Sequence, residues 1–166
     1  LVYGALCVAL SFMLSYIKLF SLPMGGSLTL CSMLPIAAYA CAFGPLYGFV
    51  AGLAFGMLQL IQDFYVIHWA QLLLDYFFAF ACYGIAAYFP NKLTLGIAVA
   101  GLCRMLCSTL SGGIFFADSA VDAGWSNAWL YSLAYNGSTI GAETVLCVLV
   151  SLLPPVKKVL GLMKSE

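Results

Sequence analysis

Residues 68–80 read HWAQLLLDYFFAF, and the apolar run that they open continues to Phe89. At 1.5 Å per residue a helix over that run reaches about 33 Å, enough to cross the hydrocarbon core of a bilayer. A single carboxylate, Asp75, interrupts it. On a soluble surface Asp75 would need no explanation. Inside a membrane an ionisable side chain is expensive and calls for a partner. The fold class and the candidate function both turn on which environment this stretch occupies.

Composition decides the environment. Of 166 residues, 64% are hydrophobic and 7% charged, and the mean hydropathy is +1.07. Soluble domains carry about a quarter charged residues, and six basic plus six acidic side chains cannot cover a soluble surface of this size. The chain is therefore expected to be an all-α integral membrane protein. Strands of a membrane barrel would alternate apolar and polar residues; the apolar runs here are continuous and helix-long. The balanced charge argues against a nucleic-acid partner. Seven cysteines form no CxxC pair and lie almost all in apolar runs, where they serve as small packing residues. With His68 the only histidine, no metal is expected, and neither is a cofactor. The sequence starts at Leu1 without a methionine, so a few preceding residues are expected, and its first run reads as a retained helix rather than a cleaved signal.

The apolar runs predict a single membrane domain of six helices, at about 1–20, 30–42, 46–62, 68–89, 93–117 and 131–153, followed by a basic cytoplasmic tail over 154–166. The Pro/Gly loop SLPMGGSLT separates the first two helices. The second, with Pro35 inside it, is too short to span comfortably and is expected to be tilted or partial. A polar loop bearing Trp125 and Trp129 precedes the last helix. Lys92, Lys157, Lys158 and Lys164 fall on one side of such a bundle and Lys18 on the other, which predicts both termini inside. The outer loops then hold Asp63, Asp118, Asp122, Trp125 and Trp129, a combination suited to a cation or an aromatic ring.

Three ionisable residues lie within the apolar runs: Asp75, Arg104 and Glu143. At 100° per residue, Tyr65, His68, Gln71 and Asp75 share a face of the fourth helix, with Tyr76 at its margin. Arg104, Ser108, Ser111 and Phe115 line up on the fifth, and Ser132, Asn136, Thr139 and Glu143 on the sixth, with Tyr135 beside them. Depth makes Asp75 the expected partner of Arg104. That pair is either purely structural or holds Asp75 ionised for a ligand. Glu143 is deeper and is either neutral or shares Arg104. Together the three faces describe a small-molecule pocket with aromatic walls in the outer half of the bundle, and an anionic aromatic wall suits an organic cation. No nucleophile has a neighbouring base and no ATP-binding loop is present, so no enzymatic activity is expected.

SLPMGGSLTLCSMLPI (21–36), YVIHWAQLLLDYFFAF (65–80) and YSLAYNGS (131–138) resemble the thiamine-specific S-components of energy-coupling factor (ECF) transporters, in matching order from about residue 5 to 155. The resemblance implies a bacterial, multi-pass plasma-membrane protein that captures thiamine from outside. It also implies docking on a transmembrane coupling protein and two ATPase subunits, with delivery by toppling in the membrane. Carried over by position, the family's site implies ligand contacts from Asp75, Tyr76, Tyr65, Tyr131 and Asn136, with Arg104 supporting the carboxylate. Ala5 and Ala9 match a small-residue patch that meets the coupling protein. A family histidine is replaced by Ser108, a stacking tryptophan by Phe116, and a first-loop tryptophan by Gly26; Trp125 or Trp129 is expected to take over stacking. A related S-component for hydroxymethylpyrimidine or another vitamin is the alternative, and an intramembrane enzyme or small channel a remote one.

Overall fold

The computed structural model describes residues 1–165. Among the described residues eight helices form, where six were expected, with one short hairpin between the first two. Helix α1 covers Val2–Ser15, and the hairpin pairs β1 (Lys18–Ser21) with β2 (Ser27–Thr29). Next come α2 (Leu34–Phe43), α3 (Pro45–Gln62), α4 (Trp69–Tyr88) and α5 (Leu93–Phe115). A short α6 (Ala117–Asp122), α7 (Ala128–Ser151) and α8 (Pro154–Lys164) complete the chain. Among the described residues, α3, α4, α5 and α7 are long and apolar enough to cross a membrane; α1 and α2 are apolar but shorter.

Three expectations need correction. The first helix stops at Ser15 instead of reaching residue 20, because Lys18–Ser21 leave it as an antiparallel strand with a bulge after Lys18. The bundle is thus not purely helical. The tail after residue 153 is a helix: Pro154 and Pro155 occupy its first turn, where a missing N–H costs nothing. Val156, Leu160 and Met163, spaced three to four apart, turn its apolar face onto the core. The loop over 118–130 also contains α6.

The short second helix is the centre of the molecule. Ile36 through Cys41 are all buried, against α1, α3, α4 and α5. Ten residues suffice because the chain re-enters the bundle before α2 begins. Cys31 sits at φ 57°, and Ser32 already lies deep enough to meet Glu143 on α7. Non-helical backbone at that depth is tolerated only when protein surrounds it and satisfies it; both conditions hold here. Gly44, at φ 103°, then turns the chain directly into Pro45 of α3.

Close packing of α3 on α4 rests on Gly48, Gly52 and Gly56. A Cβ at these positions would collide with Gly84, with the Phe80 carbonyl or with the Tyr76 carbonyl, respectively. Small residues four apart let two backbones approach where no hydrophobic effect drives helices together. Large apolar side chains face outward instead, as with Leu102, Leu106 and Leu110 on α5.

Candidate ligand-binding site

Helix α4 is wound unevenly. Residues 73–78 are π-helical, between α-helical Trp69–Leu72 and Ala79–Ala81, and residues 82–88 tighten to a 3₁₀ helix. A π segment widens the turn and often marks a functional site. Here it carries Asp75 and Tyr76. Asp75 Oδ2 accepts hydrogen bonds from Gln71 Nε2 at 2.9 Å and from Ser111 Oγ on α5 at 2.8 Å. Gln71, which is 2% exposed, is fixed in turn by donating to the Tyr65 carbonyl at 3.2 Å. The Tyr76 hydroxyl donates to the Asp63 carbonyl at 2.7 Å, tying the start of the α3–α4 loop to the helix that follows.

Arg104 is not the partner of Asp75. Its Nη1 donates to Tyr83 Oη and lies 3.4 Å from Glu143 Oε2. Its guanidinium stacks over the Phe80 ring with 4.4 Å to the centroid. Depth allows the exchange. Counting along their helices, Asp75 lies about 9 Å from the pocket end, Arg104 about 17 Å and Glu143 about 22 Å. The other oxygen of Glu143, Oε1, accepts from Thr29 Oγ1 at 2.6 Å, Ser32 Oγ at 2.7 Å and the Ser32 amide at 3.0 Å. Glu143 therefore joins α7 to the re-entering chain just ahead of α2. A carboxylate so placed is also favoured by the positive end of that helix.

One cavity of about 160 Å³ collects these groups. Asp75, Tyr76, Ser108 and Asn136 line it. So do Tyr65, Phe116 and Tyr131, while Arg104 and Glu143 close its deep end. Asn136 Nδ2 donates to the Ser132 carbonyl at 2.9 Å, and no hydrogen bond among the described residues uses its Oδ1. Tyr65 and Phe116 stack with ring centroids 5.8 Å apart. Trp125 and Trp129 lie outside the lining. Trp125 packs edge-to-face with Tyr131, ring centroids 6.0 Å apart, and Trp129 covers Gly113. His68 is also outside: it caps α4 by accepting from the Ala70 amide at 3.1 Å, and its ring stacks on Phe115. Ala5 and Ala9 are exposed on α1, away from the cavity.

Three comparisons with known proteins agree. The model of the thiamine transporter protein family (Thia_YuaJ) matches residues 1–162. The chain belongs to the thiamine transporter protein family. A curated relative, the thiamine transporter ThiT of Bacillus subtilis (strain 168), is 31% identical over 147 residues, covering 78% of this chain and 75% of that protein. A solved structure of ThiT from Listeria monocytogenes superposes with a TM-score of 0.76 over 100% of this chain and 93% of that one, at 23% identity, and so shares its fold. Relatives of this family are named as transporters, a non-enzymatic role.

For this transporter-family chain, sequence reasoning did not single out the hairpin, although Gly25, Gly26, Ser27 and Thr29 form one wall of the cavity. At Gly26, the position that the resemblance aligns with a tryptophan, a Cβ would collide with ring and hydroxyl atoms of Tyr135. Any side chain at 26 would displace that ring. The Tyr135 hydroxyl accepts from the Gly26 amide at 2.8 Å and donates to the Pro23 carbonyl. The signal that could have pointed here is the pair of glycines flanked by serine and proline, which predicts a turn with backbone close to another element.

Proposed function

We propose that the chain is the substrate-binding S-component of an ECF-type importer and that its ligand is thiamine. It would be a multi-pass protein of a bacterial plasma membrane, with both termini inside and the cavity opening outward. The observation that carries the reading is the charge balance of the cavity. Three carboxylates line it. Asp63 is paired with Lys18 at 2.7 Å and Glu143 with Arg104, whereas among the described residues Asp75 has only the neutral donors Gln71 and Ser111. One uncompensated negative charge among aromatic rings suits one organic cation. The thiazolium of thiamine meets Asp75 in this reading. Its aminopyrimidine bonds Asn136, and Tyr65, Tyr76, Tyr131 and Phe116 supply ring contacts.

The test is a titration of the purified protein in detergent, followed by quenching of tryptophan fluorescence; Trp125 against Tyr131 reports directly. Saturable quenching by thiamine is expected, and its absence overturns the ligand. One observation favours a second reading, a smaller pyrimidine such as hydroxymethylpyrimidine: the cavity of about 160 Å³ is below the 300–1,000 Å³ usual for small-molecule sites. Competition between thiamine, its pyrimidine half and riboflavin separates the two. The coupling protein and ATPases are needed for uphill import. In liposomes the chain alone is therefore expected to accumulate no thiamine when ATP is supplied.

A further inference from the structure

At the end of the bundle opposite the ligand cavity, a second groove of about 640 Å³ runs between the start of α5 and the end of α7. Its floor is apolar: Leu93, Ala98, Val148 and Leu160 line it. Its mouth carries Lys92, just ahead of α5, and Lys157, on the first turns of α8. Both lysines are exposed, and among the described residues neither makes an ion pair and no acidic residue lines the groove. Asn91, Thr94 and Ser151 add polar groups to the lining, and Thr94 Oγ1 and Ser151 Oγ, 3.1 Å apart, bridge the two helices. Both helices are long and apolar enough to span a membrane.

From this geometry we infer that the groove is a binding site for an anionic phospholipid. One acyl chain occupies the apolar slot, and the headgroup phosphate sits between Lys92 and Lys157. Charge complementarity selects this occupant. Two ammonium groups at the headgroup level, with no carboxylate beside them among the described residues, attract anionic lipids and gain little from zwitterionic ones. An apolar slot below the charge is what separates a lipid from a free phosphate ion. The slot belongs to the same end as Lys158 and Lys164, the end that the orientation above places in the cytoplasmic leaflet.

The experiment is native mass spectrometry of the detergent-solubilised chain titrated with phosphatidylglycerol or with phosphatidylcholine of identical acyl chains. Wild type is expected to bind phosphatidylglycerol about tenfold more tightly. The double variant Lys92→Gln/Lys157→Gln is expected to lose most of that preference, with helix content and thermal unfolding unchanged because both side chains are exposed. Lys158→Gln, on the same helix but outside the lining, is the control and keeps the preference. Equal binding of the two lipids by wild type overturns the proposal. So does a preference that survives the double variant, or one that Lys158→Gln removes equally. Displacement of the lipid by millimolar inorganic phosphate would show an ion site without the slot, and also overturns it.

Discussion

Asp75 and Glu143 are both carboxylates within apolar helices, and their surroundings give them different work. Glu143 is 2% exposed and saturated with donors from three segments, so its charge is consumed in holding the bundle together. Asp75 has two neutral donors, Gln71 and Ser111, and lines the cavity. Asp75→Asn is expected to weaken thiamine binding by about 10- to 150-fold, the worth of a charge-assisted contact, without lowering the unfolding temperature. Asn136→Ala is expected to weaken binding as well, measured by the same fluorescence titration. Glu143→Gln works the other way. It leaves Arg104 buried without a counter-ion, and the expected cost is about 3–5 kcal/mol of stability in a thermal unfolding scan. Pairing it with Arg104→Met should recover much of that loss, which a double-variant cycle would measure.

At the level of elements, local irregularities build the site. The π segment of α4 carries Asp75 and Tyr76, and His68 leaves the Asp75 face because it is the extended N-cap of α4 (φ −150°), outside the helix to which a 100° count applies. The hairpin is held over the cavity by Tyr135 rather than by its own two short strands, since an isolated hairpin of this size has little stability. Tyr135→Phe removes the acceptor of the Gly26 amide and the donor to Pro23. Amide exchange at Gly26 is expected to accelerate while the helices stay protected. Gly56→Ala tests the α3–α4 approach: its methyl group meets the Tyr76 carbonyl, and overpacking of this kind costs about 1–3 kcal/mol. Because Tyr76 borders the cavity, ligand binding should fall with it.

For the whole molecule, the relevant environment is the bilayer and whatever docks within it. Ala5 and Ala9 are exposed on the outward face of α1, as a small-residue docking patch requires. If they meet the coupling protein, the double variant Ala5→Leu/Ala9→Leu should abolish co-purification with that protein and leave thiamine binding intact. Loss of both would mean that α1 had been disturbed instead.

Membrane class and helical character were legible from composition and run length, because twelve charged residues on such a chain admit no soluble surface. The polar faces of the last three long helices were legible from periodicity, and they did converge: Asp75, Ser108 and Asn136 line one cavity. Sequence alone could not assign partners among groups of similar depth. The rise along a helix fixes height to a few ångströms, but an ion pair also depends on helix rotation and on where the neighbouring chain re-enters. Tertiary structure therefore gave Arg104 to Glu143, sent Trp125 and Trp129 outside the lining, and set Tyr135 in the space that a larger residue at Gly26 would need. Hydrophobicity and periodicity are properties of a single segment and are written in it. Pairing is a property of distances between segments, and only the packed bundle sets those.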